Sequence, residues 1–400
     1  MSEDVAFAGI DWASALHVAC VVSERGEVRE RFDFAHDAAA IDGMVRRMKR
    51  AKVHGVAIER GDGPVVDALM DAGLAVFVVP PRQVKALRAR YGSAGNKDDR
   101  FDAYLLADTL RSDGHRWRAL REDSDATKAL RALCRSRKDL VEIRVGVANQ
   151  LRANLELAFP GAIGLFSKPD SPITLSFLRR FPTAAKAAWL SHKRMAGWLH
   201  SVGYNGGIAT EVLYGRLVAA APGLTGIEGE ARGQITLGLV AAIETLNAQI
   251  SAVEVHIAEL FANHPDQHIF SSLPRSGMVR AASLLAEIGD CRERFLTDAA
   301  LAGLAGACPS TRQSGKYERA AFRWSCNKKL RVAVMDFANG SRMADPWAAD
   351  IYKRAIDRGC RHPHAVRILA RAWLRIIWRC WQDGVAFDPA LHRSRFAVAA

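Results

Sequence analysis

Val5-Ala6-Phe7-Ala8-Gly9-Ile10-Asp11 is an apolar run of strand length that halts on an acid. Short apolar runs bounded by turn residues read as strands, and this one opens a regular series. Leu16 to Ser23 is a second strand, Arg25-Gly26 is a turn, and Val28 to Phe34 alternates as a third strand. Together they predict an antiparallel meander. Ala38 to Arg50 is helical, and Val53 to Glu59 is a fourth strand that again ends in an acid. Pro64 to Ala72 is a helix, and Leu74 to Val79 is a fifth strand stopped by Pro80-Pro81. Two more helices follow, the second beginning near Asp99.

Three strands, then helix, strand, helix, strand, helix, is the element order of a ribonuclease-H-like α/β domain, here placed at residues 1–115. Beyond it the pattern turns helical. Lys128 to Leu157 carries Arg131, Arg135, Arg137, Arg144 and Arg152, and ends at Phe159-Pro160-Gly161. Residues 161–228 are helical pieces, and residues 234–262 form another long helix. Ile243, Leu246, Ile250, Val253, Ile257 and Leu260 repeat at alternating spacings of three and four, an a/d seam. Its partner is either the arginine-rich helix of the same chain or a second copy. This gives a helical linker or coiled-coil region at 116–265 and a mostly α-helical C-terminal domain at 266–390, with loops at 271–278, 305–316 and 339–346.

At 400 residues the chain is long enough for two or three separately cored domains. Its formal net charge of +13 favours polyanionic partners through electrostatic attraction and counterion release. The seven cysteines are odd in number and scattered, which suits a reducing cytoplasm. The acidic start Met1-Ser2-Glu3-Asp4 is no signal peptide, and no membrane span is expected. Cys360-Arg361-His362-Pro363-His364 has no second metal half-site. Basic residues crowd 312–331 and 353–379. Trp373, Trp378 and Trp381 interleave with the second set and read as the core face of a helix rather than as base-stacking residues.

Two-metal phosphoryl chemistry needs several carboxylates converging on one point, because hard cations take oxygen ligands. Asp11 ends the first strand and Glu59 the fourth. Asp99 and Asp102 stand three apart, on one face at the start of a helix, in Asn96-Lys97-Asp98-Asp99-Arg100-Phe101-Asp102. A helix N-terminus also welcomes a capping acid, so the role of Asp99 is shared with that reading, and Asp98 is an alternative ligand.

Gly-Ile-Asp, a later strand-end Glu and Asn-Lys-x-Asp-x-x-Asp-Ala resemble the DEDD insertion-sequence transposases, which are themselves similar to the RuvC resolvase and the Piv invertases. The likeness continues through Asn149-Gln150-Leu151-Arg152, Leu284 to Asp290, Gln313-Ser314-Gly315-Lys316 and Asn327-Lys328-Lys329-Leu330-Arg331. It implies a RuvC-like domain whose Asp11, Glu59, Asp99 and Asp102 bind Mg²⁺, two ions per site. It also implies Ser314 as the nucleophile that forms a phosphoserine with DNA. Nucleic-acid contacts are expected at Arg131, Arg135, Arg144, Arg152, Arg275, Arg312, Lys316, Lys328, Lys329 and Arg331. The resemblance further implies DNA element ends and target as substrates, a noncoding guide RNA, and a dimer or tetramer acting at the bacterial nucleoid. Where the family shows Leu-Pro-Gly-x-Gly, this chain has Leu273-Pro274-Arg275-Ser276-Gly277, and Cys326 replaces another common glycine.

Three other readings fit less of the chain. A RuvC-like junction nuclease or a DNA invertase without an RNA guide needs only the four acids. An actin-like ATPase should show a second glycine-rich phosphate loop. A non-catalytic nucleic-acid-binding protein has no need of a complete acid set.

Overall fold

The computed structural model describes residues 5–91, 98–314 and 317–390, with only the backbone of Arg90, Arg312 and Glu318. Asn96, Lys97, Gly315 and Lys316 therefore lie outside the described residues. The chain divides into two compact units at Glu122/Asp123.

In the first unit, β1 (Ala6–Asp11), β2 (Leu16–Ser23) and β3 (Val28–Ala35) form the meander, followed by α1 (Ala38–Arg50), β4 (Val53–Ile58), α2 (Pro64–Asp71), β5 (Ala75–Val78), α3 (Pro81–Arg90) and α4 (Asp99–Asp113). The sheet order is β3-β2-β1-β4-β5. β1 pairs antiparallel with β2 and parallel with β4, and β4 is parallel to β5. This is the ribonuclease-H-like arrangement that the element order predicts.

Alternation along β1 sends Ala6, Ala8 and Ile10 into a core with α1 and α2, where Met44, Met48 and Leu69 are buried. Phe7, Gly9 and Asp11 face the other way, towards α4. Gly9 is required there: a Cβ on it would lie 2.1 Å from the carbonyl oxygen of Ala103. Without that side chain the α4 backbone settles directly on β1. Asp11, two residues on and on the same face, is thereby brought to the first turn of α4.

The second unit opens with α5 (Asp125–Ala158), whose N-terminus is capped by the Ser124 hydroxyl accepting from Thr127 N–H. Shorter helices follow, α6 (Pro172–Arg180), α7 (Ala184–Ala187), α8 (His192–Ser201) and α9 (Thr210–Ala219), and then the long α10 (Gly226–Ala262). α10 begins eight residues before the periodicity predicts. It packs on α5 within the chain, so of the two partners left open for the seam, α5 is the one observed. The contacts run in opposite senses: Arg137 Nε donates to Glu254 at 2.9 Å, Arg144 to Asn247 at 3.0 Å, and Asn154 to Thr236 at 3.0 Å. The pair is antiparallel. Of the seam, Ile243, Ile250 and Ile257 are buried, while Leu246, Val253 and Leu260 are half-buried.

One expectation is corrected here. α10 does contain a stretch long and apolar enough, by length and composition, to cross a membrane. Of its buried isoleucines, Ile257 and Ile243 join the two cores of this unit.

The remainder is α11 (Gln267–Ser271), α12 (Gly277–Ile288), α13 (Asp298–Leu304), the hairpin β6 (Ser310–Ser314) and β7 (Tyr317–Ala321), α14 (Lys328–Ser341), α15 (Pro346–Asp357) and α16 (His362–Asp383). Trp373 and Trp381 of α16 are fully buried, and Trp378 donates its indole N–H to the Phe295 carbonyl at 2.8 Å. Three aromatics at helical spacing thus serve packing, as the sequence suggests.

Candidate active site

Asp98, Asp99 and Asp102 take three different positions at the start of α4. Asp98 is the N-cap: its φ of −135° is extended, and its carboxylate accepts from Arg100 N–H at 3.0 Å. Asp99 is the first helical residue and is exposed, while Asp102, one turn on, is 1% exposed. The capping role therefore falls to Asp98, leaving Asp99 to turn its carboxylate elsewhere. Carboxylate oxygens of Asp11, Asp99 and Asp102 all lie within 4.8 Å of one another. Among the described residues no other cluster of His, Cys, Asp and Glu is this metal-like. Three hard oxygen donors at this spacing fit a hard divalent cation.

Glu59 is not in that trio. It follows β4, and the parallel register pairs Ile10 with Ile58, so Asp11 and Glu59 leave neighbouring strands at the same end of the sheet. Arg88 of α3 stands among these acids. Its Nε donates to Asp102 Oδ1 at 2.7 Å, and its Nη2 donates to Oδ2. The Asp102 carboxylate raises the Arg88 guanidinium above its ordinary value, and the charges of Glu59 and Asp11 push in the same direction. Sequence reasoning missed Arg88. It lies in a run of basic residues, Arg82 to Arg90, and nothing in that run distinguishes it.

The turn beyond Asp11 is fixed by histidines. His17, fully buried, accepts from Ala13 N–H through Nδ1 at 3.2 Å, and its Nε2 lies 2.8 Å from His36 Nδ1. Burial, and then His36, hold His17 below its ordinary value. The neutral imidazole is favoured, which keeps added positive charge out of that corner.

Ser314 is the last residue of β6, exposed, and opposite Tyr317 of β7. The sequence reads this segment as a loop, and the structure makes it a two-stranded hairpin. The hairpin leads to Phe322, over which Arg331 and Arg367 stack at 4.5 and 4.4 Å, and to Trp324, which is 76% exposed.

The basic residues named from sequence divide by what they touch. Arg131 donates to the Ala286 carbonyl and to Asp123; Arg135 holds Glu287 with two bonds of 2.7 and 2.9 Å; Arg144 reaches Asn247 and Asp170. These three tie α5 to its own unit. Lys329 pairs with Asp139 at 3.1 Å, and Arg331 donates to the Arg323 carbonyl. Arg152, Arg275 and Lys328 are exposed. Arg135, Lys329, Arg137 and Arg280 also line a cleft of about 600 Å³, together with Val141 and Met278. Arg275 occupies the left-handed region at φ 54°, the conformation that the glycine of the family pattern would adopt freely. The departure from that pattern keeps the turn at some backbone cost. The side chain of Arg312 is not described, and Lys316 lies outside the described residues.

The family model described as DEDD_Tnp_IS110, a transposase, matches residues 8–160, and that of the transposase IS116/IS110/IS902 family matches residues 267–353. The protein named as the mini-circle transposase for IS117 of Streptomyces coelicolor is 31% identical over 96% of this chain and 95% of its own length. The 42 kDa protein of insertion element IS900 from Mycobacterium paratuberculosis is 27% identical over 96% and 97%. The 43.6 kDa protein of IS110 from S. coelicolor is 26% identical over 80% and 79%. A T. thermophilus RuvC chain, solved with a Holliday junction substrate, covers 29% of this chain and 99% of its own at 17% identity, with a TM-score of 0.24. That score carries no argument, and the fold rests on the strand order. Full-length identity above 30%, with both family models in sequence, places the chain in the IS116/IS110/IS902 family of transposases, enzymes that cut and rejoin DNA.

Proposed function

We propose that this transposase breaks and rejoins DNA strands with divalent metal held by Asp11, Glu59, Asp99 and Asp102, and with Ser314 as the nucleophile. The observation that carries the metal part is the convergence of the Asp11, Asp99 and Asp102 carboxylates within 4.8 Å. Magnesium, two ions per site, is the cation this reading assigns, and when bound it supplies positive charge to the phosphodiester oxygens. Asp11 and Glu59 offer oxygens from the ends of paired strands, and Asp99 and Asp102 from one turn of α4. Asp102 is fixed in place because both of its oxygens accept from Arg88.

The Ser314 part rests on family resemblance and on the residue's exposed place at a strand end. Its Oγ attacks phosphorus, a serine phosphodiester bond forms, and one sugar oxygen leaves and takes up a proton. A hydroxyl of a second strand then reverses the step on the phosphoserine. Splitting one transfer into two retains the bond energy for rejoining. Arg275 and Lys328, exposed and cationic, and Arg152, exposed and paired with Glu156 at 3.0 Å, are assigned phosphate contacts, which position nucleic acid without reading its sequence. Choice of site is then left to a noncoding RNA of the element, with the protein acting as a dimer or tetramer at the nucleoid. All three assignments rest on the family resemblance.

The metal part is tested with end-labelled element-end DNA, with and without a chelator, using wild type and Asp102→Asn. Strand cleavage that needs Mg²⁺ and falls by roughly 10²–10³-fold or more in the variant is the expected result. Cleavage that survives both treatments contradicts it.

A further inference from the structure

Arg88 has no place in the four-acid pattern, yet it holds both carboxylate oxygens of Asp102. A guanidinium fork on a carboxylate is among the stronger side-chain pairings, because two charge-assisted bonds form in one plane. Here it falls on Asp102, which is 1% exposed, while the Arg88 end of the pair reaches solvent. Asp11 and Glu59 add their fields to the same guanidinium. Arg88 is thus already a monovalent counter-ion to an acid cluster whose oxygens are spaced for a divalent one.

We infer that Arg88 competes with divalent metal for Asp102 and thereby sets the metal affinity of the catalytic site. This rests on the metal reading above. A cation that coordinates Asp102 meets an oxygen whose electrons are already drawn towards Arg88, and it meets the positive charge of Arg88 at close range. Both effects weaken binding. Arg88 acts through Asp102, so it is a positioning residue: it holds the carboxylate in place for the cation and tempers how tightly that cation is held. The arrangement also lets Arg88 stabilise Asp102 whenever the ion departs, so this buried acid always has a cationic partner.

The test is titration of the full-length chain with Mn²⁺, followed by calorimetry and by thermal melting, for wild type, Arg88→Gln and Arg88→Lys. Glutamine keeps a hydrogen-bond donor and removes the charge. Mn²⁺ is expected to bind Arg88→Gln roughly tenfold or more tightly than wild type, since a unit charge at hydrogen-bond range from a dication is worth at least that at an effective dielectric near 20. Arg88→Lys, with the charge retained and the fork lost, should fall between. Arg88→Gln should melt lower than wild type without Mn²⁺, because it leaves Asp102 without its cation, and should gain more from added Mn²⁺. A purely structural role for Arg88 would lower the melting point without tightening metal binding. Binding by Arg88→Gln that is equal to or weaker than wild type overturns the inference and leaves the metal reading standing. Absence of binding in all three proteins overturns both.

Discussion

Asp102 and Asp123 are both almost fully buried carboxylates, one in each unit, and their surroundings differ in sign. Asp123 is surrounded by donors: Arg294 at 2.8 Å, Arg131, and the backbone N–H groups of Asp290 at 3.0 Å and Cys291 at 3.2 Å. Asp102 has one guanidinium and two neighbouring carboxylates. At Asp123 positive charge and donors exceed what one acid needs, and the result is a closed structural knot that ties α5 to the loop after α12. At Asp102 negative charge is in excess among the described residues. Like charges held together cost stability, and a fold keeps such a cluster where an outside cation completes it. The difference separates a buried acid that supports structure from one that, on the proposed reading, serves chemistry.

The comparison breaks most easily at its two extremes. Asp123→Asn removes the charge that its two arginines require, and breaking a buried ion pair from one side costs about 3–5 kcal/mol. The second unit should lose that much in chemical denaturation and retain little activity once unfolded. Asp11→Asn should do the opposite, leaving the melting point unchanged or slightly raised while strand cleavage is lost. Equal destabilisation by both variants would erase the distinction drawn between the two acids.

Within α4 the contrast sharpens over adjacent residues. Asp98→Ala removes an N-cap and should cost about 1 kcal/mol of stability while leaving Mn²⁺ affinity intact. Asp99→Ala should weaken Mn²⁺ binding with a smaller change in stability. The reverse pattern would make Asp98 the ligand. The smallest effect concerns Cys134 on α5, beside the Arg135–Glu287 pair. Burial pushes its thiol up to about 11, so the protonated form dominates far above neutrality. Alkylation at pH 8 should therefore be much slower at Cys134 than at half-buried Cys308 or Cys326, with mass spectrometry of the peptides as the readout.

Much of the first unit was legible because its signals are local. Strand-length apolar runs, each closed by a turn residue, a proline or an acid, place four of the strands and the alternation of Val28 to Phe34 places the third, and the run ending in Asp11 needs no distant partner to be recognised. The Asp98/Asp99 ambiguity was not resolvable from spacing. A cap and a first-turn residue differ in backbone angle, and either acid suits either place. Arg88 was invisible for a related reason: its role comes from an acid fourteen residues away across a helix–helix contact. The arginines of α5 stood out as charge, but the ion pairs that Arg137 and Arg135 make with Glu254 and Glu287, 117 and 152 residues away, could not be read from spacing. The hairpin at 310–321 was missed because Ser310-Thr311-Arg312-Gln313-Ser314 has no apolar alternation to announce a strand.

The central proposal is that Ser314 forms a covalent phosphodiester with DNA in a metal-dependent reaction that needs Asp11. It is tested most directly by trapping the covalent product. Wild type, Ser314→Ala and Asp11→Ala are incubated with Mg²⁺, labelled element-end DNA and the flanking transcript, denatured, and resolved by size, with the adducted peptide identified by mass spectrometry. A protein–DNA adduct on Ser314 in wild type, lost in both variants, is the expected result. Metal-dependent cleavage that proceeds without an adduct and is unaffected by Ser314→Ala would contradict the account and leave a nuclease that hydrolyses its substrate directly.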